Sequence, residues 1–330
     1  MNEQLINQIL PYYSKKRILV TGSSGYLATN LIHSLKEVNC TIIRLSRNCN
    51  LLPVVGKANV LDITGDICIR ETFEKALENV DIVYHFAAQT SVYVANNNPL
   101  VDLNINVLPM LNLLEVCRDR GWQPMIIFSG TVTEAGIPNT LPVNEAHEDC
   151  PITIYDLHKL FAENYLKCYS RQGIICGTIL RLANVYGPGP KSSSTDRGII
   201  NMMMHKALAG EQLTIYGKGN CLRDYVYIED IISAFLQAPI HANRVNGRHF
   251  VIGSGEGYTI AQAIKLIADR AALKTGQHIP VKHTEPPPLQ SPIEERNFVA
   301  DTRQFKLATG WQANHSLLQG IDLTLEALLK

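Results

Sequence analysis

From Arg17 onward, short apolar runs alternate with amphipathic stretches, the pattern expected when a parallel sheet is covered by helices on both faces. The apolar runs predict strands over 17–21, 41–45, 59–61, 81–85, 125–128 and 178–181. Stretches with helical periodicity between them predict helices near 25–37, 69–78, 99–119 and 154–171. This order predicts an α/β fold with a doubly wound parallel sheet of Rossmann type. Residues 1–16 read as an N-terminal helical extension with Leu5, Ile6, Ile9 and Leu10 on one face and Pro11 as its stop.

After Asn184 the punctuation changes. Gly187-Pro188-Gly189-Pro190 and the polar run 191–196 predict a mobile loop beside a site. Helices are expected near 197–209, 229–238, 259–270 and 316–329, with a turn at 217–219 and a proline-rich loop at 286–288. The expected division is a dinucleotide-binding domain over 17–183, to which 226–254 returns, and a smaller C-terminal substrate-binding region made of 184–225 and 255–330.

Composition narrows the partners. Thirty basic residues balance thirty acidic ones, so no excess charge recommends nucleic acid or an acidic membrane surface. The eight cysteines are scattered, with no C-x-x-C pair and no histidine at ligand spacing, which predicts no metal site and reduced thiols in a cytoplasmic protein. No signal-peptide core is visible, and no stretch reads as long enough to span a membrane.

Strand 17–21 runs into Gly22-Ser23-Ser24-Gly25-Tyr26-Leu27-Ala28 and then into a helix. Backbone amides and a helix N-terminus meet at such a turn, which suits a pyrophosphate and makes Gly22, Ser24, Gly25, Tyr26 and Leu27 candidate dinucleotide contacts. Ala28 takes the place of a third glycine, where helix and strand pack closely. About twenty residues on, Ser46-Arg47 stands where an acid often holds the ribose hydroxyls. A guanidinium there can bind a 2′-phosphate, so Arg47 favours NADP(H), with NAD(H) as the alternative.

Tyr155 and Lys159 lie four residues apart and therefore share a helical face. A tyrosine titrates near pH 10, so proton transfer near neutrality needs about 4 kcal/mol of help from positive charge. Lys159 can supply part of that field. Thr131 follows the strand ending at Phe128, at the carboxyl end where such sheets bind ligands, and can hold the substrate oxygen that Tyr155 protonates.

Together these motifs resemble the extended short-chain dehydrogenase/reductase family, in its NAD(P)-dependent epimerase/dehydratase/reductase group acting on nucleoside-diphosphate sugars. The resemblance runs through TGSSGYLA (21–28), GDI (65–67), YHFAAQTSV (84–92), IIFSGT (126–131), IYDLHK (154–159), LRLANVYGPG (180–189) and IYGKGNCLRDYVYIED (215–230). It implies that Asp66 and Ile67 contact adenine and that Ala87 and Ala88 line the dinucleotide. It also implies that Tyr155 and Lys159 reach the nicotinamide ribose, that Asn184 and Arg223 grip the sugar diphosphate, that Tyr216 flanks the base and that Ser91 touches the sugar. A homodimer through the helices near 99–119 and 154–171 is implied as well.

On residue type alone, Arg223 is equally an ion-pair partner for Asp224, Asn184 a turn cap, His85 a core residue and His158 a surface one. The chain departs from the dehydratase pattern behind Thr131, where Val132 and Thr133 cannot transfer a proton and Glu134 is expected to point elsewhere. Ala135 replaces the usual tyrosine before Gly136, and Arg296 is the nearest candidate for a late diphosphate arginine. The expected activity is oxidoreduction at a sugar carbon, C4 by the resemblance. An NADPH-dependent 4-ketoreductase is the first reading, a 4-epimerase that retains its dinucleotide the alternative, and a dinucleotide-binding protein without turnover the remote one.

Overall fold

The computed structural model describes residues 8–47, 51–190, 198–286, 288 and 291–330. Leu5, Ile6, Cys49 and the loop 191–196 fall outside the described residues. Strands β1 (Arg17–Thr21), β2 (Thr41–Ser46), β3 (Asn59–Thr64), β4 (Ile82–His85), β5 (Met125–Thr131) and β6 (Cys176–Leu182) form one parallel sheet. Smaller pieces follow: β7 (Asn184–Tyr186), β8 (Leu213–Tyr216), β9 (Leu222–Tyr227), β10 (His249–Ile252), β11 (Gly257–Thr259) and β12 (Val281–Thr284).

β10 returns to the main sheet, whose order is β10-β6-β5-β4-β1-β2-β3, while β11-β9-β7 and β12-β8 stand apart. This is the doubly wound architecture, and the chain reverses direction across the sheet between β1 and β4. The central strands are buried on both faces, as their apolar runs require: Ile18, Leu19, Val20, Ile82 and Val83 have almost no exposure, whereas edge strand β3 is largely exposed.

Helices α1 (Tyr26–Leu35), α2 (Arg70–Ala76), α3 (Val92–Asn97), α4 (Pro99–Asn106), α5 (Leu108–Arg120) and α6 (Ile154–Arg171) cover the sheet. The single helix expected over 99–119 is two, because Pro109 cannot donate to, and its ring crowds, the carbonyl four residues back. Contrary to the expectation of no membrane-length stretch, 99–120 is long and apolar enough by composition alone. Half of it is buried inside the fold, as in a core helix.

The α-helical residues Gln8 and Ile9 end just ahead of Pro11. It sits in the first turn of the 3-10 helix Leu10–Tyr13, where a missing N–H costs nothing. That segment is pinned to the body by the Tyr13 hydroxyl, which lies 2.7 Å from the Tyr84 hydroxyl and donates to the Leu236 carbonyl at 2.6 Å.

Candidate active site

The carboxyl ends of β1, β4 and β5 converge on one edge of the sheet, and each contributes a different kind of group. At β1, Gly22 takes φ 63°, and a side chain there would place its Cβ 2.8 Å from the Ala87 Cα. Only glycine permits both that conformation and that approach. Gly25 caps α1 without a side-chain hydrogen bond, leaving the first-turn N–H groups of α1 for a ligand. The Ser23 hydroxyl is buried and has no partner among the described residues. A bare helix start, an orphaned hydroxyl and a glycine cradle fit a dinucleotide pyrophosphate.

Tyr26 joins this turn to the sugar side by donating to the Gly187 carbonyl at 3.0 Å, and Asn30 donates to the Pro188 carbonyl at 3.3 Å. Ser24 and Gly25 are exposed, while Leu27, Ala87 and Ala88 are half-buried. At the end of β2, Arg47 is exposed. Its charge helps to hold the Asp66 carboxyl below the usual range, after the larger effect of the hydrogen bond from Cys68 N. Asp66 and Ile67 are half-buried beside it.

β4 delivers His85, whose state follows from donor counting. Thr21 Oγ1 accepts from the N–H groups of Phe86 and Ala87, both at 3.1 Å, so its own proton goes to His85 Nδ1 at 3.0 Å. The ring is therefore neutral. Burial, with Lys159 nearby, pushes its pKa down to about 3. His85 is a core residue and not an acid–base group.

β5 ends at Thr131, and a 3-10 turn (Val132–Ala135) follows it, closed by a capping box. Glu134 accepts from Thr131 N at 3.1 Å, is fully buried and turns its second oxygen to Arg181 Nε at 2.9 Å. Burial, reinforced by neighbouring Glu163, raises its pKa well above the usual carboxylate range. Arg181 is further held by Asp149 and Glu163, and Lys167 donates to Glu163, giving a buried charge cluster beneath α6.

The first turn of α6 is tied to the end of β5 by hydroxyls. Thr131 Oγ1 lies 2.8 Å from Thr133 Oγ1, and Thr133 donates to Asp156 Oδ1. Tyr155 precedes Asp156 in that turn, is buried and packs with Val92 and Ala95 of α3, and Lys159 follows one turn later. The Lys159 ammonium is buried 3.9 Å above the Phe128 ring. Desolvation brings its pKa down to about 8, against the opposing pull of Glu134, Asp102 and Glu163.

His158 is corrected from surface to core. It is 5% exposed, with Nδ1 2.7 Å from Asp102 Oδ2 on α4, a carboxylate 56 residues upstream. Asp102 also accepts from Gln89 and Asn106, which fixes the segment after Ala88.

The expected sugar-side residues are more dispersed. Ser91 is buried and its hydroxyl caps α3 by accepting from Val94 N at 3.2 Å. Asn184, half-buried, donates to the Asp224 carbonyl at 3.1 Å. Tyr216 is half-exposed at the end of β8. Arg223 does not pair with Asp224, because strand alternation sends neighbours to opposite faces. Arg223 donates to the carbonyls of Leu222, Arg296 and Glu294, whereas Asp224 accepts from the N–H groups of Ser254, Gly255 and Ala300. Arg296 is buried beside Arg223. Among the described residues, no group of three His, Cys, Asp or Glu side chains could hold a metal ion.

Residues 18–253 match the model of the NAD dependent epimerase/dehydratase family. The chain belongs to that family. It is thus an enzyme of the extended short-chain dehydrogenase/reductase type. Among curated relatives, a putative UDP-glucose 4-epimerase of Methanocaldococcus jannaschii is 33% identical over 76% of this chain and 81% of its own. The UDP-glucose 4-epimerase of Azospirillum brasilense is 26% identical over 92% of this chain and 89% of its own.

Among solved structures, the UDP-glucose 4-epimerase of Thermotoga maritima with UDP-glucose is 28% identical, with a TM-score of 0.83 over 95% of this chain and 98% of that one. The Thermus thermophilus UDP-glucose 4-epimerase complex with NAD is 27% identical, with a TM-score of 0.78 over 94% and 98%. These likenesses favour the epimerase alternative over the ketoreductase expected first.

Sequence reasoning missed Thr133, Asp156 and Asp102. Only Asp156 left a signal, since Thr153-x-x-Asp156 has the spacing of a helix-capping pair.

Proposed function

We propose that this protein is a nucleoside-diphosphate-sugar 4-epimerase that retains NAD(H) through its cycle. One observation carries the reading. Thr133, two residues past Thr131, is bonded to Asp156 in the first turn of α6, which carries Tyr155, and Lys159 lies over Phe128 of β5, while Glu134, the acid near Thr131 in sequence, lies 2.9 Å from Arg181. That set can move one proton on a sugar hydroxyl and supplies no acid to expel water at a neighbouring carbon.

Thr131 positions the hydroxyl, Tyr155 takes its proton and later returns it, and the Lys159 charge favours the phenolate. The bound dinucleotide would supply the hydride acceptor and return donor. Gly22, Ser24, Gly25, Tyr26, Leu27, Asp66, Ile67, Ala87 and Ala88 would hold it. Ser91, Asn184, Tyr216 and Arg223, with Arg296, would line the nucleotide-sugar side formed by 184–225 and 255–330.

NAD(H) is the proposed dinucleotide, because the Arg47 charge falls on Asp66 and the Thermus relative carries NAD. The ketoreductase reading rests on Ser46-Arg47 alone. Uridine diphosphate is the proposed nucleotide, after the relatives. A homodimer through α4 and α6 belongs to the same reading, supported by exposed Leu100, Val101, Leu103, Phe161 and Tyr165. A cytoplasmic location agrees with seven free cysteines among the described residues.

The test is incubation of the purified protein with UDP-glucose and no added dinucleotide. Appearance of UDP-galactose without net change in nicotinamide absorbance is expected. Stoichiometric NADPH consumption on a 4-keto sugar nucleotide, with no epimer formed, would overturn the reading.

A further inference from the structure

We propose that Phe128 is a positioning residue whose ring face holds the Lys159 ammonium where an ion pair would otherwise be needed, so that the lysine charge stays uncancelled one helical turn from Tyr155. The inference rests on the roles of Tyr155 and Lys159 proposed above. On α6, Lys159, Ala162, Glu163 and Leu166 recur at helical spacing and all are buried, so the lysine takes a position that ordinarily packs the core. Ala162 and Leu166 join Phe128 in one apolar cluster against the sheet. The lysine nitrogen lies 3.9 Å from the centre of the Phe128 ring, and Phe128 is itself fully buried.

A buried ammonium needs a partner, and the kind of partner decides what it can do. Without one, desolvation strips its proton. A carboxylate in contact keeps the proton but cancels the positive field that a nearby phenolate requires. An aromatic face attracts the cation through its quadrupole and carries no net charge, so it stabilises the ammonium and leaves the field standing.

The surroundings of Lys159 agree with this division of labour. The acids that act on it are Glu134 on the 3-10 turn, Asp102 on α4 and Glu163 on α6. Each is already engaged: Glu134 and Glu163 with Arg181, and Asp102 with His158, Gln89 and Asn106. Among the described residues, none of the three forms an ion pair with Lys159. β4 contributes His85, which stacks on Phe128 with ring centres 5.8 Å apart. The Thr21 hydroxyl donates to that imidazole and burial keeps it neutral, so it adds no charge to repel the ammonium. Desolvation still brings the Lys159 pKa down to about 8, where a modest attraction decides whether the side chain is charged.

Phenylalanines carrying one, two or three ring fluorines keep the shape of the side chain nearly unchanged and drain its π face step by step. Each is placed at position 128, and the Lys159 amine is followed through a pH titration by NMR of 15N-labelled lysine, with Lys159→Arg identifying the signal. The protein is used as purified, so this measurement involves no sugar. The midpoint is expected to fall with each fluorine, by about one pH unit at three, a tenfold weaker hold on the proton. UDP-glucose turnover near pH 8 is expected to fall in the same order, about fivefold at three fluorines, through kcat and not KM.

A ring that only filled the core would leave the midpoint where it is, since its shape is kept. Thermal melts establish folding, and should the trifluorinated protein not fold, the singly and doubly fluorinated ones decide the matter. A midpoint that does not move along the series overturns the proposal, as does one that moves while the turnover of an active parent stays constant. If the parent does not epimerise UDP-glucose, the epimerase reading fails and the titration alone decides the role of the ring.

Discussion

Around Gly22 the chain works through main-chain geometry: a left-handed glycine pressed against Ala87, an uncapped helix start and half-buried alanines. Around Thr131 it works through buried charge and hydroxyls, with Glu134, Asp156, Lys159, Glu163 and Arg181 all within the fold. The difference teaches where each region is vulnerable. A backbone cradle fails when a side chain intrudes, whatever its polarity. A buried charge cluster tolerates a change of shape poorly and a change of charge only where a partner stays satisfied.

The largest expected effect tests the charge-built region. Tyr155→Phe should retain the fold and dinucleotide binding and lose turnover by roughly a thousandfold or more, since only the proton-transfer hydroxyl is removed. Steady-state rates with a melt and dinucleotide titration check it, and near-parental turnover would dissolve the contrast between the two regions.

Next comes His85, held neutral by burial with its pKa pushed to about 3. The unfolded chain takes up its proton below about pH 6.5 and the folded one does not. Stability should therefore fall as pH drops from about 6.5 toward 3, by about 4 kcal/mol at the limit, with no contribution above that window. Urea unfolding of the parent and His85→Gln across this range checks it. The difference between the two should grow toward acid, and a flat difference would mean that His85 is protonated in the fold.

Gly22→Ala probes the backbone-built region. The new Cβ would sit at φ 63° and 2.8 Å from the Ala87 backbone, so a loss of about 1–3 kcal/mol and at least tenfold weaker dinucleotide binding are expected. Calorimetry with NAD gives the affinity and urea unfolding the stability. Parental values for both would show that the cradle adapts.

The smallest effect is expected at Glu134→Gln. Because burial already raises the Glu134 pKa, the amide resembles the protonated acid, and Arg181 keeps Asp149 and Glu163. Stability within about 1 kcal/mol of the parent and turnover within about threefold should result. A large loss of rate would make Glu134 part of the chemistry and reopen dehydration.

Much of the backbone-built region was legible from the sequence, because positive φ and close approach restrict residue type and leave glycines at fixed spacing behind a strand. Tyr155 and Lys159 were legible through helical spacing, and Thr131 through its place at the end of an apolar run. The partners of buried charges were not. Asp102 reaches His158 across 56 residues, and Arg181 gathers acids from three separate segments. Such pairings depend on the fold alone and carry no local pattern.

Likewise the break between α4 and α5 was written in Pro109 but hidden by the continuous apolar pattern around it. Arg47 was read as the holder of a 2′-phosphate, whereas its charge acts on Asp66, which lies nineteen residues on, where no local reading joins the two.

The central claim is that one sugar carbon gives up a hydride and receives the same hydride back. UDP-glucose carrying deuterium at C4 tests it most directly, with the product followed by mass spectrometry and NMR. UDP-galactose that keeps the deuterium at C4, with none lost to solvent, is the expected result. Product with hydrogen at C4, or deuterium recovered in a released dinucleotide, would contradict the account.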